Sequence, residues 1–92
     1  MTISFELGVV GVTPGAVEAA AGAGAALVPL LLRHMLGDWG DDIDPADAAA
    51  NDRAVGDGGR LLSCYRVGAG ARLWIITEAD RSATTVLTPA EY

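Results

Sequence analysis

The eight residues from Arg33 to Gly40, RHMLGDWG, hold a guanidinium, an imidazole, a carboxylate and an indole, and His34 is the single histidine of the 92-residue chain. An imidazole four residues from a carboxylate is the least that general acid-base chemistry requires, with Asp38 in a position to orient the ring. The same residues also read as a helix end, where an imidazolium gains roughly 0.3–1 kcal/mol from the helix dipole. Trp39 suits a lid over a small core as well as a platform for a ligand.

A second polar cluster lies in WIITEADRSATTVL, Trp74 to Leu87. A hairpin accounts for most of it, because Thr favours strands and Asp and Ser serve turns. Arg81 is left over as a cation that could reach a phosphate or carboxylate beside His34. Ser63 and Cys64 are the nucleophiles on offer, and a thiol on a core-facing position is usually inert.

Metal and nucleotide chemistry have no motif to stand on. The carboxylates of DWGDDID, Asp38 to Asp44, miss the D-x-D-x-D-G spacing of a calcium loop and read as solvated surface. One His and one Cys are too few for zinc, and neither a P-loop nor a G-x-G-x-x-G occurs at a strand-helix junction. No metal and no cofactor is therefore expected.

The elements that must position these groups follow from pattern. Ile3, Phe5, Leu7 and Val9 alternate with their neighbours as in a strand. Thr13-Pro14 opens a helix that should end near Ala21, before the glycines of GAG. Pro29 restarts a helix running to Leu36, with Gly37 as its left-handed cap. Asp44-Pro45, with Asp47 in the first turn, starts a third that should stop at Gly56. RLLSCYRV, RLWIITE and ATTVLT, joined by GAGA and ADRS, then read as an antiparallel meander.

If both turns are four-residue loops, Leu62, Cys64, Leu73, Ile75 and Val86 share the core face. Ser63, Tyr65, Trp74, Ile76, Thr85 and Leu87 share the other, with Glu78 near its end. A one-residue slip exchanges these faces.

The expected architecture is α+β: one domain over residues 1–92, with a strand and two to three short helices in 1–57 packed on the antiparallel sheet of 58–92, three to four strands in all. At this length folding buries only roughly 60–65% of the chain's surface. Because 17 of the residues are alanine, the core should be thin and a partner subunit would help it, so a homodimer fits.

Net charge is -6, with six arginines and no lysine, and residues 38–57 alone sum to -6. Long-range repulsion disfavours nucleic acid unless the four arginines after Gly58 form a local patch. The longest uncharged run, Ala19 to Leu32, is 14 residues and broken by Gly and Pro, so no membrane span is expected. The lone Cys64 and the lack of a basic leader suit the cytoplasm.

LLRHMLGDWGD, Asn51, RLLSCYRV, LWIITEADRSATTVLTPAEY and the early TPGA together closely resemble a family of small plasmid and mobile-element proteins. These are usually called plasmid-related hypothetical proteins and sometimes type I restriction endonuclease subunit M. A modification subunit requires an S-adenosylmethionine site and an adenine methyltransferase motif, and these 92 residues contain neither. What the resemblance implies is a mobile-element context and a single-domain form.

Two functional readings follow. In the first, the chain is a non-catalytic accessory protein, in a role such as counter-defence, whose acidic segment 38–57 meets a basic protein partner or a small ligand. Its candidate binding residues are Asp38, Trp39, Asp41, Asn51, Trp74, Glu78 and Thr85. The alternative draws on the layout of small metal-independent toxin ribonucleases of the barnase, EndoU, colicin and RelE type, with His34, Tyr65 and Arg81 as the catalytic set.

Overall fold

The computed structural model describes residues 3–68 and 70–92, so Ala69 of the GAGA turn lies outside the described residues. The elements are β1 (Val9–Val12), α1 (Pro14–Ala23), α2 (Leu27–Met35), α3 (Pro45–Asp57), β2 (Leu61–Gly68), β3 (Ala71–Thr77) and β4 (Ala83–Leu87), followed by a short 3-10 turn at Pro89–Glu91. The sheet order is β1-β4-β3-β2. The α+β architecture is as expected, three helices on a four-stranded sheet. The sheet is mixed rather than purely antiparallel, because β1 joins β4 in parallel.

Local chemistry sets the helix bounds. Thr13 and Asp44 cap α1 and α3 through their side-chain oxygens, each followed by proline at the first helical position. Both helices run further than the glycine pattern suggests, to Ala23 and Asp57, and are capped by Gly24 and Gly58 in left-handed conformation. Helix α2 begins at Leu27, ahead of Pro29, which costs nothing because first-turn N–H groups have no helical acceptor. The helix ends at Met35 with Leu36 as its C-cap, and beyond it the Gly37 N–H bonds to the His34 carbonyl and the Asp38 N–H to that of Arg33, a Schellman closure.

The first strand is shorter and later than alternation predicts. Gly8 has φ +66° and passes so close to the carbonyls of Arg81 and Ser82 that a Cβ there would overlap them. The ladder therefore starts only at Val9. Phe5 instead packs into the core, and the Ser4 N–H bonds to the Met35 carbonyl.

The faces expected for β3 and β4 hold, since Ile75 pairs with Val86 and Trp74 with Leu87. Those of β2 are exchanged. Arg66 pairs with Arg72 and Gly68 with Ala71, leaving Val67 as the extra residue of a bulge, and every earlier position slips by one. Leu61, Ser63 and Tyr65 consequently face the helices with Leu73, Ile75, Thr77, Thr84 and Val86, and all eight have zero exposure. Leu62 and Cys64 lie on the other face with Trp74, Ile76, Thr85 and Leu87.

Two apolar clusters form on the helix side. Ala16, Ala20 and Leu30 of α1 and α2 pack over Tyr65, Leu73, Ile75 and Val86. Phe5, Trp39 and Ala54 pack over Leu61. Among the described residues no single helix is long and apolar enough to cross a membrane.

Candidate functional site

His34 stands between the two clusters, fully buried, in the last turn of α2. Its Nδ1 lies 2.5 Å from Ser63 Oγ on β2 and its Nε2 2.8 Å from Thr77 Oγ1 on β3. Thr77 Oγ1 is 2.7 Å from Thr84 Oγ1, which donates to the Leu7 carbonyl at 2.7 Å. The carbonyl end orders every proton in this chain. Thr84 has one hydrogen and gives it to Leu7, so Thr77 must donate to Thr84 and accept from His34. The ring is therefore the Nε2–H tautomer, and its Nδ1 accepts from Ser63.

Burial, and secondarily the positive field of Arg81, lowers the His34 pKa from 6.5 to about 4. Phe5 and Trp39 close over the ring edge-on, with centroids at 5.1 and 5.8 Å. At neutral pH the imidazole is uncharged, fully hydrogen-bonded and out of reach of solvent. The helix-end position expected for His34 holds, but in place of a charged imidazolium the structure has a neutral core group.

An unfolded chain carries a histidine with its ordinary pKa near 6.5. Between that value and about 4 the unfolded state binds the extra proton, so stability falls as pH drops through this window. The expected loss from about pH 7 to about pH 4 is roughly 3 kcal/mol, read from denaturant midpoints, and a His34→Leu variant should lack it. The carboxyls of Asp38 and Asp41, held below their usual range by hydrogen bonds from Arg33 and from the Arg66 N–H, add a further decline at lower pH.

The other candidate catalytic residues are engaged by groups other than His34. The Tyr65 hydroxyl donates to the Asp38 carbonyl at 2.6 Å, and burial pushes this phenol up to about 12. Arg81, at φ +62°, donates to the carbonyls of Gly59 (2.6 Å), Ala54 (2.9 Å), Glu78 and Ala79, and lies over the Phe5 ring. It ties the end of α3 to the β3–β4 turn. Asp38 does not orient the imidazole, because its carboxylate accepts from Arg33 at 2.6 Å. Cys64 is buried on the outer face, and its thiol is pushed up to about 11 by that burial.

Most of the acidic segment is likewise occupied. Asp41 accepts from the Arg66 N–H, Asp42 pairs with Arg66 and Arg72, Asp44 caps α3, and Asp52 accepts from the Trp39 indole N–H. Together with Asp38 that is five of the seven carboxylates, leaving Asp47 and Asp57 exposed and without a side-chain partner among the described residues. No three His, Cys, Asp or Glu side chains converge as a metal site among the described residues.

Asn51 has a role that sequence reasoning missed. Its amide oxygen accepts from the Leu62 N–H at 3.1 Å and its amide nitrogen donates to the Leu62 carbonyl at 2.6 Å, so the side chain imitates a neighbouring strand. Further along the same edge Cys64 N–H bonds to the Trp39 carbonyl, the Asp42 N–H to the Cys64 carbonyl, and Arg66 N–H to Asp41. The turn 39–42 and α3 thus close the outer edge of β2. The available signal was an asparagine, a weak helix former, in the middle of an alanine-rich helix.

On the outer face, Trp74 meets Tyr92 edge-on at 5.3 Å, and the Tyr92 hydroxyl accepts from Arg60 at 2.9 Å. Leu62 and Ile76 floor a groove of about 140 Å³ bordered by Ala50, Asn51, Asp47, Arg60 and Tyr92. Thr85 is half-buried on this face and Glu78 is exposed at its end. No family model, curated protein or solved structure matches the chain.

Proposed function

We propose that the chain is a non-catalytic binding module, an accessory protein of a mobile element that receives a basic segment of a partner protein on the α3 side of the outer face. The supporting observation is the groove over Leu62 and Ile76, with the unpartnered carboxylate of Asp47 at its border and Asp57 exposed on the same helix. An aliphatic floor beside a carboxylate fits the stem and charged head of lysine or arginine. The mobile-element setting rests on the sequence resemblance alone.

The state of His34 favours binding over catalysis. A general base must reach the proton that it removes, whereas this ring is enclosed and bonded at both nitrogens. Tyr65 and Arg81 also have their donors committed to backbone carbonyls.

A titration with an arginine-rich peptide, followed by amide NMR, tests this reading. Shifts should map to α3, Leu62, Ile76 and Tyr92, and affinity should fall steeply with added salt. Asp47→Asn should weaken binding by about 1.4- to fivefold, since an exposed ion pair contributes about 0.2–1 kcal/mol. Shifts elsewhere, or an affinity indifferent to salt, would contradict it.

A further inference from the structure

The two edges of the sheet differ. The β2 edge is closed at Leu62, Cys64 and Arg66 by Asn51, by the 39–42 backbone and by Asp41. The β1 edge has no such cover. Val9 N–H and Thr13 N–H point to Ser82 and Val86 on the β4 side, so by strand alternation Val10 and Val12 direct their N–H and C=O groups outward. Nothing among the described residues bonds to them. Open edges are normally blunted by a charge, a proline or a bulge, and VVGV contains none, with Val9, Val10 and Val12 at 75%, 41% and 37% exposure.

We propose that β1 is the interface of a symmetric dimer, in which the strands of two copies pair antiparallel about a twofold axis at Gly11 and join their sheets into one of eight strands.

The register follows from the sequence on either side. With Gly11 opposite its own copy, Val10 stands opposite Val12 of the second chain and the reverse, and all the outward groups pair in four hydrogen bonds. Centring on Val10 would set Val12 against Gly8, whose φ of +66° takes it out of strand conformation. Centring on Val12 would set Val10 against Pro14, which has no N–H. Gly11 then occupies the non-hydrogen-bonded pair, where two strands approach most closely, and a Cβ built there meets nothing within its own chain.

Packing and charge favour a second copy of this chain as the occupant. Val10 and Val12 share the helix-side face with their β4 partners Thr84 and Val86, so valine pairs across the axis would extend the core row. Residues 1–37 carry a net charge of only -1. The segment of charge -6 lies against the opposite edge, and pairing through β1 holds the two acidic segments at the far ends of the dimer. So short an interface belongs with the small, reversible ones, below about 1,200 Å².

Sedimentation equilibrium of the full chain over a concentration series, together with cysteine cross-linking, tests the proposal. The wild type should shift reversibly from monomer to dimer mass, with slowed amide exchange at Val10 and Val12 in the dimer. Val10→Lys should stay monomeric, with a thermal transition matching that of the wild type at concentrations where it too is monomeric. Gly11→Cys should form a covalent dimer under mild oxidation, whereas Gly22→Cys, equally open but on α1, should not. A chain that stays monomeric at every concentration would overturn the proposal. A dimer in which Gly11→Cys cross-links no faster than Gly22→Cys, or one that persists in Val10→Lys, would overturn it too, as would β1 amides protected only when a different protein is added.

Discussion

His34→Ala lowers the unfolding free energy by about 3–5 kcal/mol in the expected outcome, a large share of the roughly 5–15 kcal/mol that holds a domain of this size. The substitution removes the acceptor for Ser63 and the donor to Thr77, both with zero exposure, and opens a void under Phe5 and Trp39. Each stranded hydroxyl costs about 1–3 kcal/mol where water cannot reach it. Denaturant unfolding reads the loss directly. A solvent-exposed histidine at a helix end would cost less than about 1 kcal/mol, so the two pictures are well separated. Ser63→Ala, which orphans a single ring nitrogen, should cost about 1–3 kcal/mol.

Gly40→Val gives the second large effect. Gly40 has φ +96°, and a side chain there would run into the Cys64 carbonyl and the Tyr65 ring. A β-branched residue in that backbone region is strained before any contact is counted. The turn must then move away from β2, which breaks the Cys64 N–H bond to Trp39 and the Asp42 N–H bond to Cys64. Together these should cost about 3 kcal/mol or more, and edge amides at Cys64 and Arg66 should lose their exchange protection. Gly22→Val on α1, where a Cβ meets nothing, is the matched control and should cost about 1 kcal/mol or less.

Much of this arrangement was legible in the residues. The caps at Thr13 and Asp44, the Gly37 reversal and the β3–β4 hairpin are local chemistry, set within a few positions of one another, and local patterns report them faithfully. The β2 face was not legible, because it depends on a single bulge at Val67: the four-residue loop that GAGA suggests leaves the strand one residue out of register. That slip hid the central cluster, since Ser63 and Tyr65 meet His34 and Asp38 only after the faces are exchanged. The parallel joining of β1 was hidden for a different reason. It depends on the close passage of Gly8 over the Arg81–Ser82 turn, a contact between residues more than seventy positions apart. The acidic run was legible as charge, but its partners were not, because edge closure by Asp41, Asp42 and Asn51 exists only once β2 is in place.

Within RHMLGDWG, His34 and Trp39 thus work inward, the imidazole as a polar centre of the core and the indole as its cover, whereas Asp38 and Arg33 form an ion pair at the surface.

The most direct measurement is a pH titration of His34 by 15N NMR, since one histidine gives one unambiguous pair of ring signals. A neutral ring at pH 7, carrying its proton on Nε2 and titrating only near 4, is the result expected of a sealed histidine bonded to Ser63 and Thr77. A midpoint near the ordinary 6.5, with the ring protonating freely in the folded protein, would contradict the buried network and return this residue to the surface.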